Sequence, residues 1–289
     1  MANEPAMAPS AALESAELAL RLAVKEAFGE GWLELPDAPG RARLEGVRER
    51  DAANREGLST SQDLIDFTLT IELTRFIRRN HEAMADVFPS WPLVESMLNL
   101  IDAVRNPNQH HRGLAPWERD LISGVAGQLR TLLAKYRSEK DTLNEDYPCI
   151  ESVKDSFMNE GYPNSVQHTT LMRTLVLGET ITFQCSAWDY QQREIRWRLT
   201  APNSAGHWAA DWPQDAADKD GGSSAVGADA VLTWTPQRHH AMPWVSIKVM
   251  MRNGGEFYRN SYRYDDSREF VYRVRPPGPN TLWNPPERT

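Results

Sequence analysis

Arg105-Asn106-Pro107-Asn108-Gln109-His110 brings a permanent cation, an amide and a titratable imidazole into one short stretch. A guanidinium can grip a phosphate through its planar fork. An imidazole exchanges a proton near neutral pH. Together they suit phosphodiester cleavage without a metal. RNA carries its own nucleophile, the 2′-hydroxyl. In that chemistry His110 is the general base or acid. Arg105 holds the phosphate and stabilises charge on the pentavalent species. Asn106 orients His110 or donates to a phosphate oxygen. The products are a 2′,3′-cyclic phosphate and a 5′-hydroxyl. His111 and Arg112 follow directly and are read as substrate-binding residues. An Arg-x4-His match alone is weak. Its competing reading is an ordinary helix end, where Asn terminates and His favours the negative pole of the dipole.

The elements that must position these residues read as helices. Apolar residues Leu13, Leu18, Leu20, Leu22, Val24 and Phe28 share a broad face over residues 11–30, and Gly29 and Gly31 end it. Residues 41–55 are mostly charged and predict a surface helix. Gly57 to Ser61 reads as a linker. Residues 62–80 predict a single strong helix carrying Leu64, Ile65, Leu69, Leu73, Phe76 and Ile77. The motif helix is expected from Leu93 to Asn106, stopped at Pro107. A last helix is expected from Trp117 to Arg137 with Pro116 at its start. These make an all-α bundle over residues 11–140. Arg75 and His81 also fit the loose spacing, but Phe76 follows Arg75, so that pair is read as structural. Arg78 and Arg79 are candidates for a cleft edge.

The order of helix, motif, short loop and helix resembles the HEPN superfamily, all-helical domains of which many are metal-independent ribonucleases. Arg105, Asn106 and His110 match the family motif position by position. The likeness is greatest to the HEPN domain of Swt-type RNA endonucleases. It takes in Leu18 to Gly31 with Trp32, the charged segment 41–55, Asp63-Leu64-Ile65-Asp66-Phe67, Phe88, and the loop His111 to Pro116. The resemblance implies a homodimer through the bundle, with two motif helices sharing one cleft. It also implies a toxin or an anti-phage defence effector.

Composition bounds the reading. The chain has 289 residues, enough for two ordinary domains, and a formal net charge of −8. Residues 1–150 hold 17 Lys and Arg against 24 Asp and Glu, a net −7, and the remainder is close to neutral. A protein that wraps long RNA should show a basic surface, so RNA contact is expected to be local. No apolar run approaches transmembrane length and no signal peptide is read, so no membrane is expected and the location is expected to be cytoplasmic. Cys149 and Cys185 are far apart and are read as reduced, buried thiols. His239-His240 has no ligand-spaced Cys, Asp or Glu beside it. No metal and no cofactor are expected.

After residue 140 the period changes. Residues 141–166 are polar and turn-rich and read as a linker. From there apolar residues alternate: Leu171, Leu175 and Leu177; Ile181, Phe183 and Cys185; Ile195, Trp197 and Leu199; Val245, Ile247, Val249 and Met251. With residues 230–235, 256–262 and 269–274, about seven strands are predicted. The expected fold is therefore α+β and multidomain: the helical bundle, then an antiparallel β-sandwich over 167–275, then a tail over 276–289. Gly178 to Trp197 resembles strands B and C of bacterial immunoglobulin-like modules, with Cys185 and Trp197 at core positions. Residues 203–229 read as a long polar insert holding Trp208 and Trp212. A protein partner for the sandwich follows as an expectation. The alternative function is a non-catalytic HEPN dimerisation or interaction protein.

Overall fold

The computed structural model describes residues 9–109, 114–140, 147–163, 172–189, 191–201, 212 and 221–277, without the side chains of residues 9, 106–109 and 138. The fold is α+β, with helices in the N-terminal half and predominantly antiparallel sheets in the C-terminal half. The chain divides into two compact units. One comprises residues 1–56 and 60–140, and the other residues 57–59 and 141–289.

Among the described residues, five α-helices build the first unit: α1 (Pro9–Phe28), α2 (Arg41–Asn54), α3 (Thr70–Arg79), α4 (Trp91–Gln109) and α5 (Pro116–Lys140). On α1 the buried face is Ala12, Leu13, Ala16, Ala19, Leu20, Ala23 and Val24, spaced by threes and fours. Its alanines leave room for α5, which buries Ile122, Val125, Ala126, Leu129 and Leu133 in the same core. The Arg137 Nε to Glu26 Oε1 contact of 2.8 Å ties the two helices at the rim. Gly29 ends α1 at φ 56, where glycine meets no Cβ penalty. A 3₁₀ turn, Gly29–Glu34, then swings Trp32 edge-on to Phe76, with ring centroids 5.9 Å apart.

The helix expected over residues 62–80 is in fact two pieces. A 3₁₀ turn spans Leu64–Phe67, and α3 starts only at Thr70. Local side chains outcompete the helix here. Asp63 Oδ1 accepts from Ile65 N at 3.1 Å, and Thr68 Oγ1 donates to Ile65 O at 2.7 Å. Leu69 is extended, and its N–H is taken by Glu72 Oε2 at 2.9 Å, half of a capping box that restarts the helix. A second correction concerns α4. It does not stop at Pro107 but runs through it to Gln109. Proline deletes one i→i−4 bond, and here it does so in the last turn, where little helix remains to be broken.

In the second unit one sheet has the order β1–β4–β7, formed by Cys149–Asp155, Ile181–Trp188 and Asp229–Trp234. The other has the order β2–β9–β8–β5–β6, formed by Tyr162–Pro163, Asp266–Arg275, Val245–Asn253, Ile195–Thr200 and Ser224–Val226. β3 (Arg173–Val176) adds to β9 in parallel; the other pairings are antiparallel. One core cluster draws on both sheets: Val153, Phe183 and Trp234 from the first, Trp197, Ile247 and Phe270 from the second. Full burial of side chains this size stabilises by about 1.5–3 kcal/mol each.

Three readings change in this unit. Residues 149–155, taken as linker, form β1, paired along β4 from Cys149 opposite Trp188 to Asp155 opposite Phe183. Residues 256–262, taken as a strand, lie in a turn. The buried Asp265 carboxylate gathers that turn, accepting from Asn253 N at 2.6 Å, Asn253 Nδ2 at 2.8 Å and Arg259 N at 2.8 Å. Burial raises the pKa of Asp265 while these hydrogen bonds pull it down. Within the insert, residues 224–226 form β6, and Trp212 packs with Met250 and Tyr264. Trp208 lies outside the described residues.

Candidate functional site

Arg105 stands on α4, which turns Val94, Met97, Leu98, Ile101 and Val104 into the core of its own unit. The side chain of Arg105 is half-buried, and its Nε is enclosed with no hydrogen-bond partner among the described residues. A buried guanidinium N–H without an acceptor costs roughly 1–3 kcal/mol, so an anion would be welcome there. Asn106 continues the helix. His110, His111 and Arg112 lie outside the described residues, so the structure sets no distance from Arg105 to any of them.

What the structure does bring together is a polar cluster between α3 and α4. Arg78 Nη2 donates to Asp102 Oδ2 at 2.8 Å and to Asn99 Oδ1 at 3.0 Å. Thr74 Oγ1 donates to the other oxygen of Asp102 at 3.1 Å. Asp102 precedes Arg105 by three residues, and so shares its side of the helix. Arg78 is therefore committed to neighbouring side chains. Arg79 and Arg75 are exposed. His81 is held as a structural residue: its Nδ1 lies 3.0 Å from Arg78 O, and its ring stacks on Trp91 at 4.4 Å. Asp102 and Asn99 escaped sequence reading because neither belongs to a motif. The only available signal was an acidic residue one turn before Arg105.

A cavity of about 580 Å³ in the helical unit is lined by Glu30, Trp32, Arg41, Glu45, Arg48 and Asp63, away from Arg105 in the chain. Arg41 pairs with Glu34 and Asp63 with Lys25, and the carboxylates of Glu30, Glu45 and Asp63 stand beside its two arginines, so it marks no anion site. In the second unit His239 and His240 occupy a 3₁₀ turn, not an extended segment, with ring centroids 4.0 Å apart. His240 is fully buried against Trp234, and its Nδ1 accepts from Gln237 N at 2.9 Å. Cys149 and Cys185 are both buried thiols, not joined in a disulfide.

The partner expectations require correction. RNA held at a local contact, a homodimer through the bundle and a protein partner on the second unit find no support among the described residues. The apolar stripe of α4 that a second copy would need is already packed inside its own unit. The cation expected at a cleft edge, Arg78, is tied to Asp102. Among the described residues, no helix is long and apolar enough to cross a membrane. No protein-family model and no curated protein matches this chain.

Proposed function

We propose that the helical unit is a HEPN-like module carrying a metal-independent endoribonuclease centre within a single chain. The observation that carries this reading is the Nε of Arg105, enclosed and without a hydrogen-bond partner among the described residues. A guanidinium held in that state is poised for an oxyanion such as the phosphate of a scissile diester. Arg105 binds the phosphate and offsets charge as the 2′-oxygen attacks phosphorus. His110 takes the 2′-hydroxyl proton or returns one to the departing 5′-oxygen, and Asn106 orients it. One P–O bond forms and one breaks, leaving a 2′,3′-cyclic phosphate and a 5′-hydroxyl.

For the second unit we propose an immunoglobulin-like sandwich. Supporting this are the strand orders β1–β4–β7 and β9–β8–β5–β6, the parallel β3 on β9, and a core that holds Trp197 with Cys185.

The test is incubation of the purified chain with a labelled oligoribonucleotide in excess chelator. Cleavage to cyclic-phosphate ends is expected, with none on the deoxy analogue. Arg105→Ala and His110→Ala should each abolish it, and Arg105→Lys should rescue poorly, because an ammonium lacks the fork. Undiminished cleavage by the Arg105→Ala protein, or a strict need for magnesium, overturns the reading and leaves a non-catalytic helical module.

A further inference from the structure

The outer face of the larger sheet carries cations in an arrangement that the fold alone does not favour. Arg196 on β5 lies directly opposite Arg252 on β8, and Arg198 lies opposite Met250. Like charges directly across an antiparallel pair destabilise it. A further cation, Arg263, enters from the turn after β8 at φ 65. With Glu194, Trp212 and the outer edge of β6, these four arginines line a cavity of about 760 Å³. That volume falls in the range of small-molecule sites.

The anionic side of this cavity is thin. Among the described residues Glu194 is its one carboxylate, and it is already paired with Arg196 Nε at 2.5 Å. Asp265 behind it is engaged by Asn253 and the turn backbone. The Arg252 guanidinium lies 4.4 Å from the Trp212 ring centroid, which fixes its plane. Its Nε is enclosed without a partner among the described residues. Burial lowers the pKa of Arg252, and the charges of Arg196 and Arg263 lower it further, while Tyr258 and Asp265 oppose them.

We propose that this face of the second unit binds a small, multiply charged oligophosphate, gripped by Arg196, Arg252 and Arg263. Planar forks from two strands and a turn suit several phosphate oxygens at once. Recognition falls on the phosphates, because Arg252 already covers the ring of Trp212. The bound anion relieves the repulsion between Arg196 and Arg252, so binding also stabilises the sheet.

The test uses the full chain and inorganic tripolyphosphate in titration calorimetry at low salt. Saturable binding is expected, at least about tenfold tighter than orthophosphate, and weakened about tenfold or more by Arg252→Gln or Arg263→Asn. Arg263→Asn keeps the left-handed turn, which Asn tolerates, and lies outside the ladder, so it decides the matter if Arg252→Gln fails to fold. Arg50→Gln, on the exposed side of α2, should bind as the parent does. No binding at millimolar tripolyphosphate, equal affinity for orthophosphate, or unchanged binding in both site variants overturns the proposal. None of these outcomes depends on RNA cleavage by the other unit.

Discussion

Tyr272 donates its hydroxyl hydrogen to Asp155 Oδ2 at 2.7 Å, joining β9 of one sheet to the end of β1 in the other. The carboxylate is 2 % exposed and also accepts from Phe157 N, Asn159 N and Asn159 Nδ2. A carboxylate so buried is tolerated because it is hydrogen-bonded on both oxygens. Tyr272→Phe removes one of these four donors and should cost about 1.5–3 kcal/mol. Asp155→Ala leaves all four without an acceptor and should cost more. Urea unfolding followed by tryptophan fluorescence measures both, and a Tyr272→Phe protein as stable as the parent would refute the assignment.

The same pair sets an alkaline limit. Burial raises the Tyr272 pKa well above its ordinary value, and the Asp155 charge and hydrogen bond raise it further. A raised folded-state pKa gives stability that is complete below the unfolded tyrosine pKa and is lost as pH climbs through the folded one. Unfolding free energy should therefore fall as pH rises past the ordinary tyrosine range. Tyr272→Phe should flatten that decline, as denaturant curves at a series of alkaline pH values will show.

Burial pushes the Cys185 thiol up to about 12. Only the thiolate is a nucleophile, so Cys185 should resist iodoacetamide in the native protein at pH 8 and react fully in guanidinium. Mass spectrometry of peptides after labelling reads this directly. Rapid native labelling of Cys185 would contradict the burial.

Gly161 marks the closest approach beside β2. A Cβ there would sit 2.6 Å from Phe270 Cε2 and 2.7 Å from Arg268 Cβ. Phe270 is fully buried and packs edge-on against Phe183 at 4.9 Å, so it has no free direction in which to yield. Gly161→Ala should destabilise by about 1–3 kcal/mol, the range for overpacking, and its thermal unfolding midpoint should fall accordingly.

Asp102→Ala tests the helical cluster. It leaves Arg78 with Asn99 and deprives the buried Thr74 hydroxyl of one acceptor, while Ile71 O remains 3.3 Å away. The ion pair is about a quarter exposed, so solvent screening limits the loss to about 1 kcal/mol. A lower urea midpoint with unchanged slope is the expected result.

Local pattern explains what could be read in advance. The α1 face and the inward triad Ile195, Trp197 and Leu199 follow periods of 3.6 and 2, which neighbouring residues set among themselves. All three β5 residues are buried. Arg105 stood out by residue type and spacing alone. The β1 strand did not, because Glu151 and Ser152 interrupt its alternation at a register shift and its pairing partner β4 lies some thirty residues on. Residues 256–262 hold Phe257, Tyr258 and Tyr262, types that favour strands, yet Asp265 holds their turn through backbone bonds that no propensity encodes.

The sequence by itself determined that helices precede strands, which side chains are apolar, and that Ile195, Trp197 and Leu199 share one face. Only the tertiary structure decided that Arg78 closes on Asp102, that α4 continues beyond Pro107 and buries its apolar stripe in its own unit, and that Arg196 meets Arg252 across a ladder. The physical reason is common to these cases. Periodicity reports the environment of one element, whereas register and packing are set by the free energy of joining elements far apart in the chain.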